Sequence, residues 1–479
     1  MNVVYVVLDC VRWKSLRLGG GRRVANTPHL DRFAKSGRVY THAVAPSNWT
    51  IPSHMSMLTG EYPQQHRVRT YTDRNPTAAS VVPELAARGY ETCLFSEQEH
   101  LVARIGVENG FQSIFFPGTH EDQPLPSRIP LRRLLAWADI VNSQRFRALA
   151  GAFPALALPA NLIGNVLRTR FKASVTGTET VGAFLAWLQE RKRSNPFFAF
   201  VNIVDAHEPF PHPRTNGSSG LLTRLYSSTP PSLLLSVPSL QRKLSWEEVE
   251  AGYLECVERA DSKLGRLLDG VVMQCSESPT LVIVTSDHGQ SFGEGGYIGH
   301  GNGVMDSVTR VPLIVASFGG PPLHGTVDQW TSLCELPDMI RRVTGKPTPS
   351  GDGDIELLRE APTGPGKIVY CDGSPASEAF PSLRAVGTGP SWNRRQIAAY
   401  QQDEKFVLDT TSRQIAWWGK GMDPDRDRPE SLGGDALARA TETLFEPYLR
   451  LPGSGVVGTT ALPDIPLPVM ERLKLWGYD

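Results

Sequence analysis

The sequence predicts an α/β fold, with a central, mostly parallel sheet sandwiched by helices and a smaller C-terminal α+β subdomain. Two observations carry this expectation. Short, continuously apolar runs of β-forming residues alternate with stretches of helical periodicity, as in parallel strands joined by crossover helices. Past Thr344 the chain thickens in Pro and Gly (TGKPTPSGDGDIELLREAPTGPGK) and then resumes as short strand-like runs.

In chain order, Val3–Leu8 is the first strand, followed by a helix over Pro28–Ser36 and a short apolar helix over Ser53–Leu58. Phe197–Val204, Leu281–Thr285 and Pro312–Ala316 are further strands. Each is apolar without alternation, which suits burial on both faces. Between them Trp246–Val271 is helical, and Tyr253, Val257, Ala260, Leu264, Leu267 and Leu268 recur at helical spacing. That stripe reads as core. Lys367–Cys371, Gln396–Tyr400 and Lys405–Leu408 supply the strands of the C-terminal subdomain. The expected division is a main domain over 1–345, with an irregular insertion at about 119–173, a linker over 346–366 and a subdomain over 367–479. A chain of 479 residues is long enough for that division.

Bulk charge excludes one class of partner. Lys plus Arg and Asp plus Glu both number 49, so no net charge argues for nucleic acid. The N-terminus shows no basic, apolar and small-residue succession of a signal peptide. The six cysteines, at 10, 93, 256, 275, 334 and 371, form no CxxC pair and suggest neither a disulfide framework nor a zinc knuckle. A reducing cytoplasm is the location these features lead one to expect. Ala148–Leu167 (ALAGAFPALALPANLIGNVL) has about the length of a membrane span, but holds Pro154, Pro159, Asn161 and Asn165. It reads first as an apolar cover or packing surface, then as an interfacial membrane contact, and last as a span. Oligomeric state is not legible.

Three predicted strands end in metal-type ligands. Asp9 follows the first, Asp205 and His207 the second, Asp287 and His288 the third. In a parallel sheet those ends converge on one crevice. A lone Asp after a strand is usually a turn or cap residue, but three such ends are hard to explain by packing. Asp with His favours Zn, Mn, Mg or Ca over thiolate metals, and His288 leans the choice to Zn or Mn. His300 sits between glycines in GQSFGEGGYIGHG, as a further ligand or proton donor. Thr50, in SNWTIPSHMSMLTG, stands just before a predicted helix, whose N-terminus favours anionic groups. In isolation Thr50 is better read as a helix cap.

Taken together, these segments resemble the alkaline phosphatase superfamily, in its sulfatase and phosphonate monoester hydrolase branch. The resemblance runs in order from Asn2 to about Thr344. It covers Asp9 with Arg12, TPHLDRFAKSGRVYTHAVAPSNWTIPSHMSMLTGEYP at 27–63, VDAHEPF at 204–210, and TSDHGQSFGEGGYIGHG at 285–301. The last is similar to the matching stretch of phosphoethanolamine and lipoteichoic acid transferases.

The resemblance implies that Asp9, Asp287, His288 and Thr50 Oγ hold a divalent metal. Zn or Mn leads there, with Ca or Mg as alternatives. It also implies that His207 and His300 contact the transferring group or leaving oxygen. His54 stands where sulfatases carry an arginine. Asp205, His207, His300 and Cys10 are candidates for extra ligands or a second site, although one metal is the simpler expectation.

Two departures matter. Formylglycine-forming sulfatases carry a C/S-x-P-x-R motif, and here it is T-I-P-S-H, so Thr50 cannot yield that aldehyde. Cys10 stands where many relatives carry a second acid. The implied reaction is therefore hydrolysis or transfer of a phosphoester, phosphodiester or phosphonate ester through a covalent Thr50 intermediate, on a small-molecule or lipid-like substrate. The alternatives are a sulfuric ester hydrolase without formylglycine, or a non-catalytic binding protein that keeps the fold.

Overall fold

The structure, a computed structural model, describes residues 1–70, 73–75, 78–98, 106–116, 179–191, 195–208, 210, 244–275, 278–345, 367–379, 393–453 and 458–459. The expected insertion at 119–173, the apolar segment 148–167 and the linker 346–366 lie outside the described residues. Among the described residues no helix is long and apolar enough to cross a membrane.

The strands in chain order are β1 (Asn2–Leu8), β2 (Arg38–Val44), β3 (Asp73–Arg74), β4 (Glu91–Ser96), β5 (Ser113–Phe115), β6 (Phe197–Ile203), β7 (Thr280–Thr285), β8 (Ser291–Phe292), β9 (Ile298–Gly299), β10 (Leu313–Phe318), β11 (Gly325–Ser332), β12 (Val369–Gly373), β13 (Gln396–Gln401), β14 (Glu404–Asp409), β15 (Ile415–Trp418), β16 (Glu430–Ser431) and β17 (Gly458–Thr459). Eight of them form the central sheet in the order β11-β2-β10-β7-β1-β6-β4-β5. All pairings in it are parallel except those of β10, which runs antiparallel to both β7 and β2. The expected α/β architecture is thus present.

β1 shows why continuous apolar runs are needed. Successive side chains point to opposite faces of the sheet. Val4, Val6 and Leu8 enter one core, with helix α1 (Pro28–Ser36), helix Glu179–Glu190 and the long helix Trp246–Gln274. Val3, Tyr5 and Val7 enter the other, with helix α2 (Thr50–Thr59) and helices Val81–Ala87 and Leu336–Thr344. The stripe from Tyr253 to Leu268 is buried in the first core, as its periodicity suggests.

The register places the chemistry. Leu8 pairs with Ile203 of β6, and Val7 with Thr285 of β7. The chain therefore leaves all three neighbouring strands at one level. The C-terminal runs form a separate antiparallel sheet, β12-β13-β14-β15-β16, packed on helix Gly434–Ala440 and the turns after it. All six cysteines are buried and none is in a disulfide.

Candidate metal centre and active site

Asp9 and Asp287 leave β1 and β7 side by side, and each carboxylate is held by one oxygen only. Asp287 Oδ1 accepts from the Cys10 N–H at 3.3 Å and the His288 N–H at 3.0 Å. Asp9 Oδ2 accepts from Gln98 Nε2 at 3.2 Å. The other two oxygens, Asp9 Oδ1 and Asp287 Oδ2, are buried without a hydrogen-bond partner. Leaving a buried carboxylate oxygen unpaired is costly unless a cation is to take it.

His288 completes the same corner. Its Nδ1 donates to the Gly289 carbonyl at 2.9 Å, which fixes Nε2 as the lone-pair nitrogen. That Nε2 lies 3.3 Å from Asp287 Oδ2 and 3.1 Å from Thr50 Oγ1. Ligands ~2.0–2.2 Å from one divalent cation are spaced by about these distances. The donor set of two carboxylates, one imidazole and one hydroxyl therefore fits a divalent metal.

Thr50 is the first residue of α2, not the residue before it; Trp49 occupies the cap position. The helix begins three residues earlier than Ser53 because Pro52 is tolerated in a first turn, where its missing N–H bonds to nothing. Ser53 Oγ donates to the Asp287 carbonyl at 2.6 Å and ties this turn to the end of β7. His54 donates from Nδ1 to the Thr50 carbonyl at 2.9 Å, and the same nitrogen lies 3.4 Å from Asp287 Oδ2. It sits behind the corner, with Nε2 buried and without a hydrogen-bond partner.

The electrostatics follow from burial. The two carboxylates titrate as a pair: burial and the Asp9 charge push Asp287 up. For Asp9 burial works upward too, but His207, His288 and His54 outweigh it and hold the group down. Burial lowers His288, and it pushes His300 down to about 3. Burial, with the charges of Asp9, Glu208 and Asp287, raises the Cys10 thiol well above its ordinary value.

His207 and His300 face each other, with ring centroids 4.9 Å apart. His300 Nδ1 donates to Gln290 Oε1 at 2.9 Å, and His207 Nδ1 to the Glu208 carbonyl at 2.9 Å. Asp205 does not join them; its carboxylate is paired with Lys263 of the long helix. The acid beside these histidines is Glu208, and Cys10, His207, Glu208 and His300 lie close enough to share an ion. The acid grouped with Cys10, His207 and His300 is Glu208, where Asp205 was anticipated. Glu208 lies in VDAHEPF and was legible only as the next acid after His207. Gln98, Gln290 and Ser53 carry no motif that would have found them. Tyr253, read as core, also donates to the Cys10 carbonyl at 2.9 Å and accepts from the Arg12 N–H at 3.1 Å.

The family model described as Sulfatase matches residues 1–344. The chain is 26% identical over 404 residues to an ulvan-active sulfatase of Formosa agariphila, covering 81% of this chain and 71% of that protein. It is 23% identical over 460 residues to iduronate 2-sulfatase of Homo sapiens, covering 84% and 78%. Among solved structures, the phosphonate monoester hydrolase of Agrobacterium radiobacter superposes with a TM-score of 0.56 at 18% identity, over 89% of this chain and 91% of that one.

Proposed function

The chain belongs to the sulfatase family of hydrolases, within the alkaline phosphatase superfamily, and from that premise we propose that it cleaves or transfers a phosphoester, phosphodiester or phosphonate ester through Thr50. Enzymes of this family generally use a divalent metal ion, and here Asp9, Thr50, Asp287 and His288 would hold it. Zinc or manganese suits the mixed carboxylate and imidazole donors best. When bound, such an ion lowers the pKa of a hydroxyl and neutralises charge on the transferring group.

The protein's own residues do the rest. Thr50 Oγ1 gives up its proton to solvent and attacks the phosphorus in line, and the bond to the leaving oxygen breaks, leaving the phosphoryl, phosphodiester or phosphonyl group on Thr50. α2 presents that oxygen from its first turn, where backbone N–H groups favour the anionic group being transferred. His54 holds the Thr50 carbonyl and keeps the turn in place. His207 and His300 serve the leaving oxygen. Water then releases the phosphoryl group, or an alcohol or amine accepts it.

The observation that carries this reading is the Thr50 hydroxyl 3.1 Å from His288 Nε2, beside two buried carboxylate oxygens that lack hydrogen-bond partners. The sulfate-ester alternative has the relatives in its favour. Threonine weighs against it, because it cannot become the aldehyde that sulfate-ester hydrolysis by formylglycine requires.

Thr50→Ala is expected to abolish turnover of a nitrophenyl phosphate, phosphonate and sulfate panel while metal content and melting temperature hold. Residual activity above ~1% would remove Thr50 as the nucleophile, since loss of a nucleophile costs far more. Intact-mass analysis with a slow substrate should find the phosphoryl adduct on the Thr50 peptide. Faster cleavage of sulfate than of phosphate esters would overturn the substrate class, and metal without turnover would favour the binding-protein reading.

A further inference from the structure

On the Nδ1 side of the facing rings of His207 and His300 stand two polar side chains, Glu208 and Gln290. Glu208 follows His207 in the turn after β6, and Gln290 lies in the turn after β7. We propose that Glu208 is a positioning residue: through Gln290 it fixes His300 in the tautomer that carries its proton on Nδ1, so that Nε2 accepts a hydrogen bond from the hydroxyl that releases the transferred group from Thr50. The proposal rests on the Thr50 reading and deepens it.

A carboxylate only accepts hydrogen bonds, whereas a primary amide has a donor end and an acceptor end. Gln290 Nε2 donates to Glu208 Oε2 at 3.3 Å. That contact allows the amide one orientation, because its reversal would set Gln290 Oε1 against a carboxylate oxygen. Gln290 Oε1 therefore faces His300, 2.9 Å from Nδ1. An amide oxygen cannot donate, so the proton in that contact sits on His300 Nδ1, and the neutral ring keeps its lone pair on Nε2. Cys10 Sγ lies farther off, 3.9 Å from the same nitrogen. The tautomer of His300 is thus set by Glu208 through the amide between them.

Gln290 is held firmly enough to transmit that choice. It is buried, its N–H donates to the Ser307 carbonyl at 2.9 Å, and its carbonyl accepts from Arg12 Nη1 at 3.4 Å.

Charge gives an independent argument. Glu208 Oε2 lies 3.5 Å from His300 Nδ1 and 3.7 Å from His207 Nδ1. A negative oxygen near two ring nitrogens attracts an N–H and repels a lone pair. His207 Nδ1 also donates to the Glu208 carbonyl at 2.9 Å, so both rings take the same tautomer. In successive in-line displacements the entering oxygen approaches from the side that the leaving oxygen vacated, opposite Thr50. The histidines that serve the leaving oxygen then meet the entering hydroxyl, and an Nε2 lone pair receives its hydrogen and aims its oxygen at phosphorus.

The test uses the full chain with its bound metal. In nitrogen-15 histidine spectra, with the His300 signals assigned by their loss in His300→Gln, wild-type Nε2 is expected to resonate as an unprotonated ring nitrogen. Glu208→Gln replaces an acceptor-only group by an amide that donates as readily as it accepts. Gln290 can then turn, and part of the molecules should show a protonated His300 Nε2. Exchanging an acid behind a histidine for its amide keeps the geometry and costs activity through the wrong tautomer. With whichever nitrophenyl ester turns over, Glu208→Gln should release a first nitrophenolate at close to the wild-type rate. Later turnover should then be at least ~10-fold slower, with the Thr50 adduct accumulating. Glu208→Asp stays acceptor-only and should recover part of that rate.

A protonated Nε2 in the wild type, an unchanged Nε2 signal in Glu208→Gln, or equal slowing of the burst and of later turnover would each overturn the proposal. Equal slowing is what a purely structural role gives. Should Glu208→Gln fail to fold, Gln290→Met, which removes the link, is read in the same way. The Thr50 reading fails separately, if Thr50→Ala keeps its turnover whatever the histidine spectra show.

Discussion

At the scale of single residues, the site is explained by which polar atoms are satisfied. Asp9 and Asp287 each give one oxygen to protein donors and keep one without a hydrogen-bond partner. His66 shows the same logic away from the crevice and yields a pH prediction. Its Nδ1 accepts from the Val68 N–H at 3.1 Å, so the neutral ring carries its proton on Nε2, 2.9 Å from Ser56 Oγ. A second proton would meet the Val68 N–H. Burial, followed by the Arg69 charge, pushes the ring down to about 3 from its ordinary 6.5. Above 6.5 the ring is neutral in both folded and unfolded chains, and its contribution is intact. As pH falls from 6.5 towards 3, the unfolded chain takes a proton that the folded one refuses, and stability declines. The slope is at most about 1.4 kcal/mol per pH unit for one group. His66→Gln can keep both hydrogen bonds and should flatten that slope between pH 6 and 4, as read by denaturant unfolding at a series of pH values. Identical slopes for wild type and variant would contradict the assignment.

At the scale of elements, several ends are finished by residues from elsewhere in the chain. α1 starts after Thr27, whose side chain makes no cap bond. The cap comes instead from Asp261 on the long helix, which accepts from the His29 N–H at 3.1 Å and the Leu30 N–H at 2.7 Å. Asp261→Ala is expected to cost about 1–3 kcal/mol and lower the melting temperature. Turnover per folded molecule should not change, because Asp261 bonds to α1 and to none of Asp9, Thr50, Asp287 and His288; a loss of activity without a loss of stability would refute this. The bounds of α1 were legible to the residue, since Pro28 opens the helix and Gly37 follows its end. Those of α2 were not, because a proline in a first turn looks like a boundary. The antiparallel direction of β10 was also hidden. Pro312–Ala316 is as apolar as its parallel neighbours, and direction is a property of connection rather than composition.

At the scale of the whole molecule, the C-terminal sheet is bound to the loop that carries Thr50. Ser47 Oγ donates to the Asp372 carbonyl at 2.7 Å, and the Asp372 N–H donates to the Pro46 carbonyl at 2.9 Å. Asn48 lies between three segments. Its Nδ2 donates to the carbonyls of Gly303 at 3.0 Å and Ser374 at 3.3 Å, and its Oδ1 accepts from the Ser374 N–H at 3.2 Å. Its own carbonyl accepts from the Gly301 N–H at 2.7 Å, next to His300. Asn48 thus couples Thr50, the His300 turn and the second sheet. Asn48→Ala should reduce turnover by ~10-fold or more, because small displacements of reacting groups cost that much. The expected readout is a fall in kcat that exceeds what the folded fraction accounts for. A fall in folded fraction alone would make Asn48 purely structural.

The sequence by itself determined the fold class, the strands that bear Asp9, Asp287 and His288, and the motif around Thr50. These are local properties: buried parallel strands must be apolar throughout, and ligands at their ends follow directly in the chain. Only the tertiary structure decided how those ends pair, that Asp205 turns to Lys263, and that Glu208 stands beside His207, His300 and Cys10. Asp205 and Glu208 are three residues apart with equivalent carboxylates. Which of them meets the crevice depends on a lysine on a distant helix and a glutamine after another strand, and no spacing along the chain encodes that meeting.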